Sequence, residues 1–214
     1  MPLKKPRGAY HHGDLSDALV RATLEIVDRD GTGAVSLSAA ARRVHVSPQA
    51  SYNHFRAKAD LLAAAAVVVM RELLAAMRAR AADARTPGDR FERLGIAYVE
   101  FAAAHEARFR LLGAPELVDK TAYPALLAAQ AASLAVLVEV VEACIAGGVV
   151  RASDPHRLAR AAWATVHGVA SLVLDGQLVG DPTVLARDAI RVLFKGLAAT
   201  RPRSAPRNAG DRSG

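Results

Sequence analysis

Apolar residues recur at three- and four-residue intervals along most of this chain, the period of helices with one buried face. Over residues 14–29, Leu15, Leu19, Ala22 and Ile26 fall on one side. Asp17, Arg21, Glu25 and Asp28 line another at i, i+4 spacing. Gly31 and Gly33 end this helix. Residues 36–58, SLSAAARRVHVSPQASYNHFRAK, then read as two short helices around a tight turn. Ser36 is a good N-cap, because its hydroxyl can bond free backbone N–H groups of the first turn. Leu37, Ala40, Ala41 and Val44 form one apolar face. His45 to Pro48 break and restart the chain: Ser47 caps, and Pro48 suits the first helical position, where its missing N–H is no loss. The second helix, about 48–55, is too short to persist alone in water. Val46, Ala50 and Phe55 are its anchors to a core. Gln49, Ser51, Tyr52, Asn53 and His54 then turn mostly outward, beside Arg42, Arg43, Arg56 and Lys58. A bracing helix, an exposed helix of hydrogen-bonding side chains and flanking cations are what reading the major groove of DNA requires.

The remaining pattern is also helical. A long helix is predicted over 58–84, with Leu61, Ala65, Val68, Leu73 and Met77 on its apolar side. Thr86 and Pro87 cap and start the next, which runs to about 104. A shorter helix over 105–112 is stopped by Gly113-Ala114-Pro115, and 116–121 reads as a loop. Residues 123–146 form a strongly apolar helix closed by Gly147 and Gly148, both suited to the left-handed conformation at a helix end. Asp154-Pro155 opens a helix to 175, and Asp181-Pro182 opens one to 199. Within the former, residues 161–174 carry no charge, so this helix must be buried on more than one side. Packing between a ligand cavity and a second subunit would achieve that. The longest uncharged run, 121–138, approaches the length needed to span a bilayer. It contains Pro124, Gln130 and Ser133 and is mostly alanine, so it reads as a buried helix and not as a membrane span.

Composition sharpens this. The chain has 214 residues, enough for a real core. Its aromatics are few (Phe 5, Tyr 4, Trp 1), which favours helix over sheet. A net charge of +7 suits nucleic acid, though anionic membranes would attract it too. Cys144 is the single cysteine, so no internal disulfide forms and a reducing cytoplasm is the simpler home. The N-terminus has charges with no apolar stretch behind them, unlike a signal peptide. Residues 1–9, with Lys4, Lys5 and Arg7, read as a flexible basic arm, and 201–214 as a disordered tail.

Two stretches resemble a known family. Residues 10–62 closely resemble the DNA-binding domain of TetR-type transcriptional regulators. The resemblance is carried by YHHGDL at 10–15, by SLSAAARRVHVSPQASYNHF, and by Lys58-x-x-Leu61. Downstream, Trp163-x-x-x-His167-Gly168 resembles the C-terminal ligand and dimer domain of a TetR subset with a W…HG signature. One departure is His45, where the family usually has Gly; a turn there favours positive φ, which His tolerates better than most residues.

The resemblance implies an all-α chain: a three-helix helix-turn-helix DNA-binding domain at 10–57, joined to a larger helical ligand-binding and dimerisation domain at 58–200. The DNA interface expected comprises Ser36, Ser38, Ser47, Pro48, Gln49, Ala50, Tyr52, Asn53, His54 and Lys58. Gln49 can bond an adenine edge through two hydrogen bonds, and Ala50 can meet a thymine methyl. Tyr52, His54 and Lys58 match the family's phosphate-contacting positions. An apolar pocket in the larger domain would draw on Phe101, His105, Phe109, Gln130, Leu134, Trp163 and His167. The partners implied are a palindromic double-stranded operator, a small, largely apolar effector, and a second copy held through the last two helices, with no membrane. The function expected is repression relieved by the effector. An activator of the same architecture, or a helix-turn-helix protein that binds a protein partner, are the alternatives.

No catalytic residue and no cofactor is expected. No nucleophile elbow, phosphate-binding loop or dinucleotide fingerprint occurs. Glu139 and Glu142 read as a solvated helix face, and Cys144 as inert packing. His11, His12 and Asp14 lack further ligands at any usual metal spacing.

Overall fold

The computed structural model describes residues 12–197, with side chains from Leu15 onward. The readings on the arm (1–9), the His11, His12 and Asp14 side chains and the tail (201–214) lie outside the described residues.

Among the described residues there are nine α-helices and no strand: α1 His12–Asp30, α2 Leu37–Arg43, α3 Pro48–Tyr52, α4 Lys58–Ala81, α5 Pro87–Ala104, α6 Glu106–Leu111, α7 Pro124–Ala146, α8 Pro155–Leu174 and α9 Pro182–Leu197. Their starts follow the capping chemistry. Thr86 accepts from Asp89 N at 3.1 Å, and Asp154 accepts from His156 N at 2.9 Å. Asp181 accepts from Val184 N at 3.0 Å. In each case proline holds the next position, where no N–H is needed. Asp60 reaches back from the first turn of α4 to the backbone N–H groups of Arg56 and Ala57 at 3.0 and 3.1 Å. The C-terminal ends were less legible. α4 stops at Ala81, three residues before the end expected, because Ala82 and Ala84 turn back to Ala79 and Ala81 in tighter bonds. Of the two glycines after α7, Gly148 alone takes positive φ (67°).

α1, α2 and α3 form an N-terminal head on the start of α4. Its core is Leu19, Val27, Ala40, Leu61 and Leu62, all fully covered, with Phe55 beside them. Thr23 is buried at 0 % exposure, and its hydroxyl is satisfied by the Leu19 carbonyl at 2.8 Å.

In the larger half α5 is the central helix, packed against α4, α7, α8 and α9. Leu94, Val99 and Ala102 are sealed within it. Gly95 lets α9 come close: a Cβ there would lie 2.5 Å from Ile190 Cδ1. α7 is, among the described residues, the one helix long and apolar enough to cross a membrane, with a mean hydropathy of 1.9. It packs instead against α4, α5 and α8. α8 differs from the expectation. One side is buried through Leu158, Ala159, Val166, Val169 and Ala170, but Ala161, Ala164 and Leu172 are exposed. Among the described residues, no second layer covers that side.

Candidate nucleic-acid interface and inner cavity

The head builds an exposed short helix from local chemistry. Ser36 caps α2 by accepting from Ala39 N at 3.0 Å. The turn that follows pivots on His45, at φ 58°, the one positive φ among the described non-glycine residues. Ser47 then caps α3 by accepting from Ala50 N at 3.3 Å, with Pro48 in the first turn. Ser47, Pro48, Gln49, Tyr52 and Asn53 stand exposed, Tyr52 at 51 %. Ser38, Ala50 and His54 are half-buried, and Ser36 is exposed. Ser51 departs from its expected outward setting. It is buried at 1 %, and its hydroxyl donates to the Pro48 carbonyl at 2.6 Å, because it shares the anchoring side of α3.

The cations divide. Arg42 and Arg56 are exposed, whereas Arg43 is tied to Glu25 of α1. Lys58 is also committed. It opens α4 and forms an ion pair at 3.0 Å with Glu116, which lies in a short turn of the larger half. A second bridge reaches the head itself. Arg108 of α6 holds Asp28 of α1, with Nη2 2.7 Å from Oδ2, and Glu72 of α4, with Nη1 2.8 Å from Oε2.

The larger half encloses a cavity of about 730 Å³, within the usual range for ligand sites. Its wall is mostly apolar: Met70, Leu73 and Met77 of α4, Phe91, Leu94 and Tyr98 of α5, Phe109 of α6, Leu127, Leu134 and Leu137 of α7, Val166 of α8 and Ile190 of α9. Of the residues expected from the sequence, Phe109, Gln130, Leu134, Trp163 and His167 line it. Phe101 and His105 do not. The apolar stripe of α5 does reach Phe101, but the chain reverses at His105 and α6 closes that end with Phe109. Phe101 is left 7 % exposed in the core, with its ring 4.8 Å from that of His105. His105 makes no side-chain cap bond.

Three aromatics form a relay in the wall. Trp163 Nε1 lies 3.4 Å from Tyr98 Oη, and Tyr98 Oη lies 2.9 Å from His167 Nδ1. The indole N–H can only donate, so the Tyr98 oxygen accepts it. The phenol proton then goes to Nδ1, which assigns the neutral His167 proton to Nε2. Electrostatics agree. Burial pushes the Tyr98 phenol up to about 12, outweighing the Trp163 bond, so it stays protonated. Burial, and then the nearby Lys120 charge, hold His167 below the usual histidine range, so it stays neutral. Much of His167 is uncovered, and that surface borders the cavity.

Tyr98, Lys120 and Arg108 were not foreseen. Tyr98 carried a signal, as a polar-tipped aromatic on the apolar stripe of α5. Arg108 carried none, since its partners are 80 and 36 residues away. Glu139, read as part of a solvated face, pairs with Arg90 at 3.0 Å. Cys144 is buried, which raises its thiol and removes it from chemistry at neutral pH.

This geometry can be set beside known proteins. Residues 19–65 match the family described as bacterial regulatory proteins, tetR family, and 91–193 match the tetracyclin repressor-like C-terminal domain. A protein of unknown function from Rhodococcus sp. RHA1 is 31 % identical, covering 90 % of this chain and 100 % of its own, with a TM-score of 0.76. A tetR-family regulatory protein from Rhodococcus RHA1 is 20 % identical, with coverages of 87 % and 98 % and a TM-score of 0.64. The TetR-family regulator PfmR from Thermus thermophilus is 17 % identical, with coverages of 86 % and 99 % and a TM-score of 0.64. At those identities the last two show a shared fold. Among curated proteins none is significantly similar. With a helix-turn-helix head matching one half of the family and an all-helical cavity domain matching the other, the chain belongs to the TetR family of DNA-binding transcriptional regulators.

Proposed function

We propose that the chain is a homodimeric repressor that leaves an inverted-repeat operator when a small, largely apolar effector fills the cavity. The observation that carries this is the placement of α4. It begins at Lys58, directly after the reading helix, and contributes Met70, Leu73 and Met77 to the cavity wall. A change in cavity shape therefore moves the element on which the head is mounted. The effector needs only a differential affinity for the two head spacings; about 1–3 kcal/mol of coupling is typical.

In this reading the head spans residues 10–57 and the effector and dimer domain 58–200. Gln49 and Ala50 face base edges, Ser47, Pro48 and Asn53 lie beside them, and Ser36, Ser38, Tyr52 and His54 meet the backbone. Dimerisation uses α8 and α9, whose outer side carries exposed Leu172 (42 %), Val184 (47 %) and Val192 (72 %) next to the small residues Ala161 and Ala164. An apolar side of that kind on adjacent helices is what a self-complementary two-fold contact buries. The site of action is the cytoplasm, where the operator lies.

The test pairs two measurements. Sedimentation should give a dimer, and Leu172→Glu should shift it to monomer. A reporter fused to the gene's own regulated promoter should rise when the gene is deleted. A fall would make the protein an activator, and a monomeric wild type would remove the two-fold reading.

A further inference from the structure

The cavity is lined by three formally charged side chains, and they are not equivalent. Arg110 is paired on two of its nitrogens: Nε holds Glu106 at 2.9 Å, and Nη2 holds Asp175 at 3.0 Å and the Leu174 carbonyl at 2.8 Å. That arrangement sets one guanidinium against two carboxylates, so Arg110 is more than compensated. Lys120 is left over. It sits in the short turn before α7, and among the described residues its ammonium has no carboxylate partner. The adjacent Asp119 is spent on Thr121, accepting from its N–H at 3.1 Å and from its hydroxyl. Nε2 of His167, which carries the ring proton, and the side-chain amide of Gln130 also have no protein partner among the described residues.

A largely apolar cavity thus presents one cation without a carboxylate partner, near enough to His167 to act on its charge, with the Nε2–H donor beside it. A ligand that supplies the counter-charge to such an ammonium gains a charge-assisted hydrogen bond on an otherwise apolar wall. A cationic ligand would add a second like charge. A neutral one would leave Lys120 unmatched. A doubly charged head would find too few partners, since Arg110 is already committed. We propose that the cavity takes an amphipathic monocarboxylate, with its alkyl or aryl body among the leucines and aromatics and its carboxylate between Lys120 and the Nε2–H of His167. This rests on the reading of the cavity as the effector site and names the chemistry of its ligand.

The single tryptophan, Trp163, stands in the wall, so its fluorescence reports on occupancy directly. Decanoate should be titrated against methyl decanoate, decanol and decylamine, and phenylbutyrate against its methyl ester, with calorimetry in parallel. The carboxylates should bind at least about tenfold more tightly than the matched ester or alcohol, the gain expected of a charge-assisted contact. The amine should bind weakest. Lys120→Gln should erase the preference, and Lys120→Arg should keep it. Equal affinities for acid and ester, or a preference that survives Lys120→Gln, would overturn the carboxylate assignment and leave the cavity reading intact. No Trp163 response and no heat with any of these probes would overturn both.

Discussion

Arg108 Nη2 lies 2.7 Å from Asp28 Oδ2, and the same guanidinium is 2.8 Å from Glu72. One side chain on a cavity-closing helix therefore clasps both the head and the connecting helix. Its neighbours Phe109 and Arg110 line the cavity, so a shift of α6 is passed to α1 and α4.

Removing the clasp should cost stability. Arg108→Ala leaves two carboxylates without their partner. The site is part-exposed, so the expected loss is about 1–2 kcal/mol. Arg108→Lys should recover only part of this, because an ammonium cannot fork across two carboxylates. Denaturant unfolding measures both variants, and full recovery by lysine would deny the forked geometry its role.

Lys58 and Glu116 form the other tether, from the start of α4 under the head to the short turn at Glu116. Freeing the lysine by Glu116→Gln should raise affinity for all duplexes, and Lys58→Ala should lower it and reduce the salt slope by about one. Anisotropy titrations over a range of salt read both. Lys58 also holds the Glu116 carboxyl below its ordinary range. A depressed carboxyl contributes at pH above its unfolded value, and that contribution is lost as pH falls through the folded value. The tether should therefore weaken in acid and be fully present at neutral pH.

Gln49 is exposed at the first turn of α3. Gln49→Ala should relax preference at one base pair, at a cost of about 1–3 kcal/mol, with little change on random duplex. Equal losses on operator and random DNA would remove its base-reading role.

His45 holds a conformation that costs a side-chain-bearing residue roughly 1–2 kcal/mol. His45→Gly removes this but gives the unfolded chain more freedom, about 0.5–1 kcal/mol. The net expectation is a gain of up to about 1 kcal/mol in thermal unfolding. A loss would mean that the imidazole itself supports the turn.

The sequence was most readable where the cause is local. Ser36, Ser47, Thr86, Asp154 and Asp181 cap through hydrogen bonds two or three residues away, so the helix starts were visible in the residue types alone. His45 announced its positive φ by occupying a place that favours glycine. Ser51 was misplaced because, on a helix of five residues, one step of phase separates inside from outside. The cavity was legible in part. Trp163 and His167 lie four residues apart on α8, so one face of that helix carries both, whereas the stripe through Phe101 gave no sign of where α6 would close the space. The bridges of Lys58 and Arg108 depend on partners brought together only by the tertiary fold, and no spacing reveals them.

The measurement that bears most directly on the account is selection of bound fragments from a random duplex library by the purified protein, repeated after denaturation and refolding to strip any carried ligand. A symmetric dimer with two reading helices predicts enrichment of an inverted repeat, with half-sites about 35 Å apart or a small multiple of that. No enrichment above random at moderate salt, by refolded protein as well as native, would contradict it.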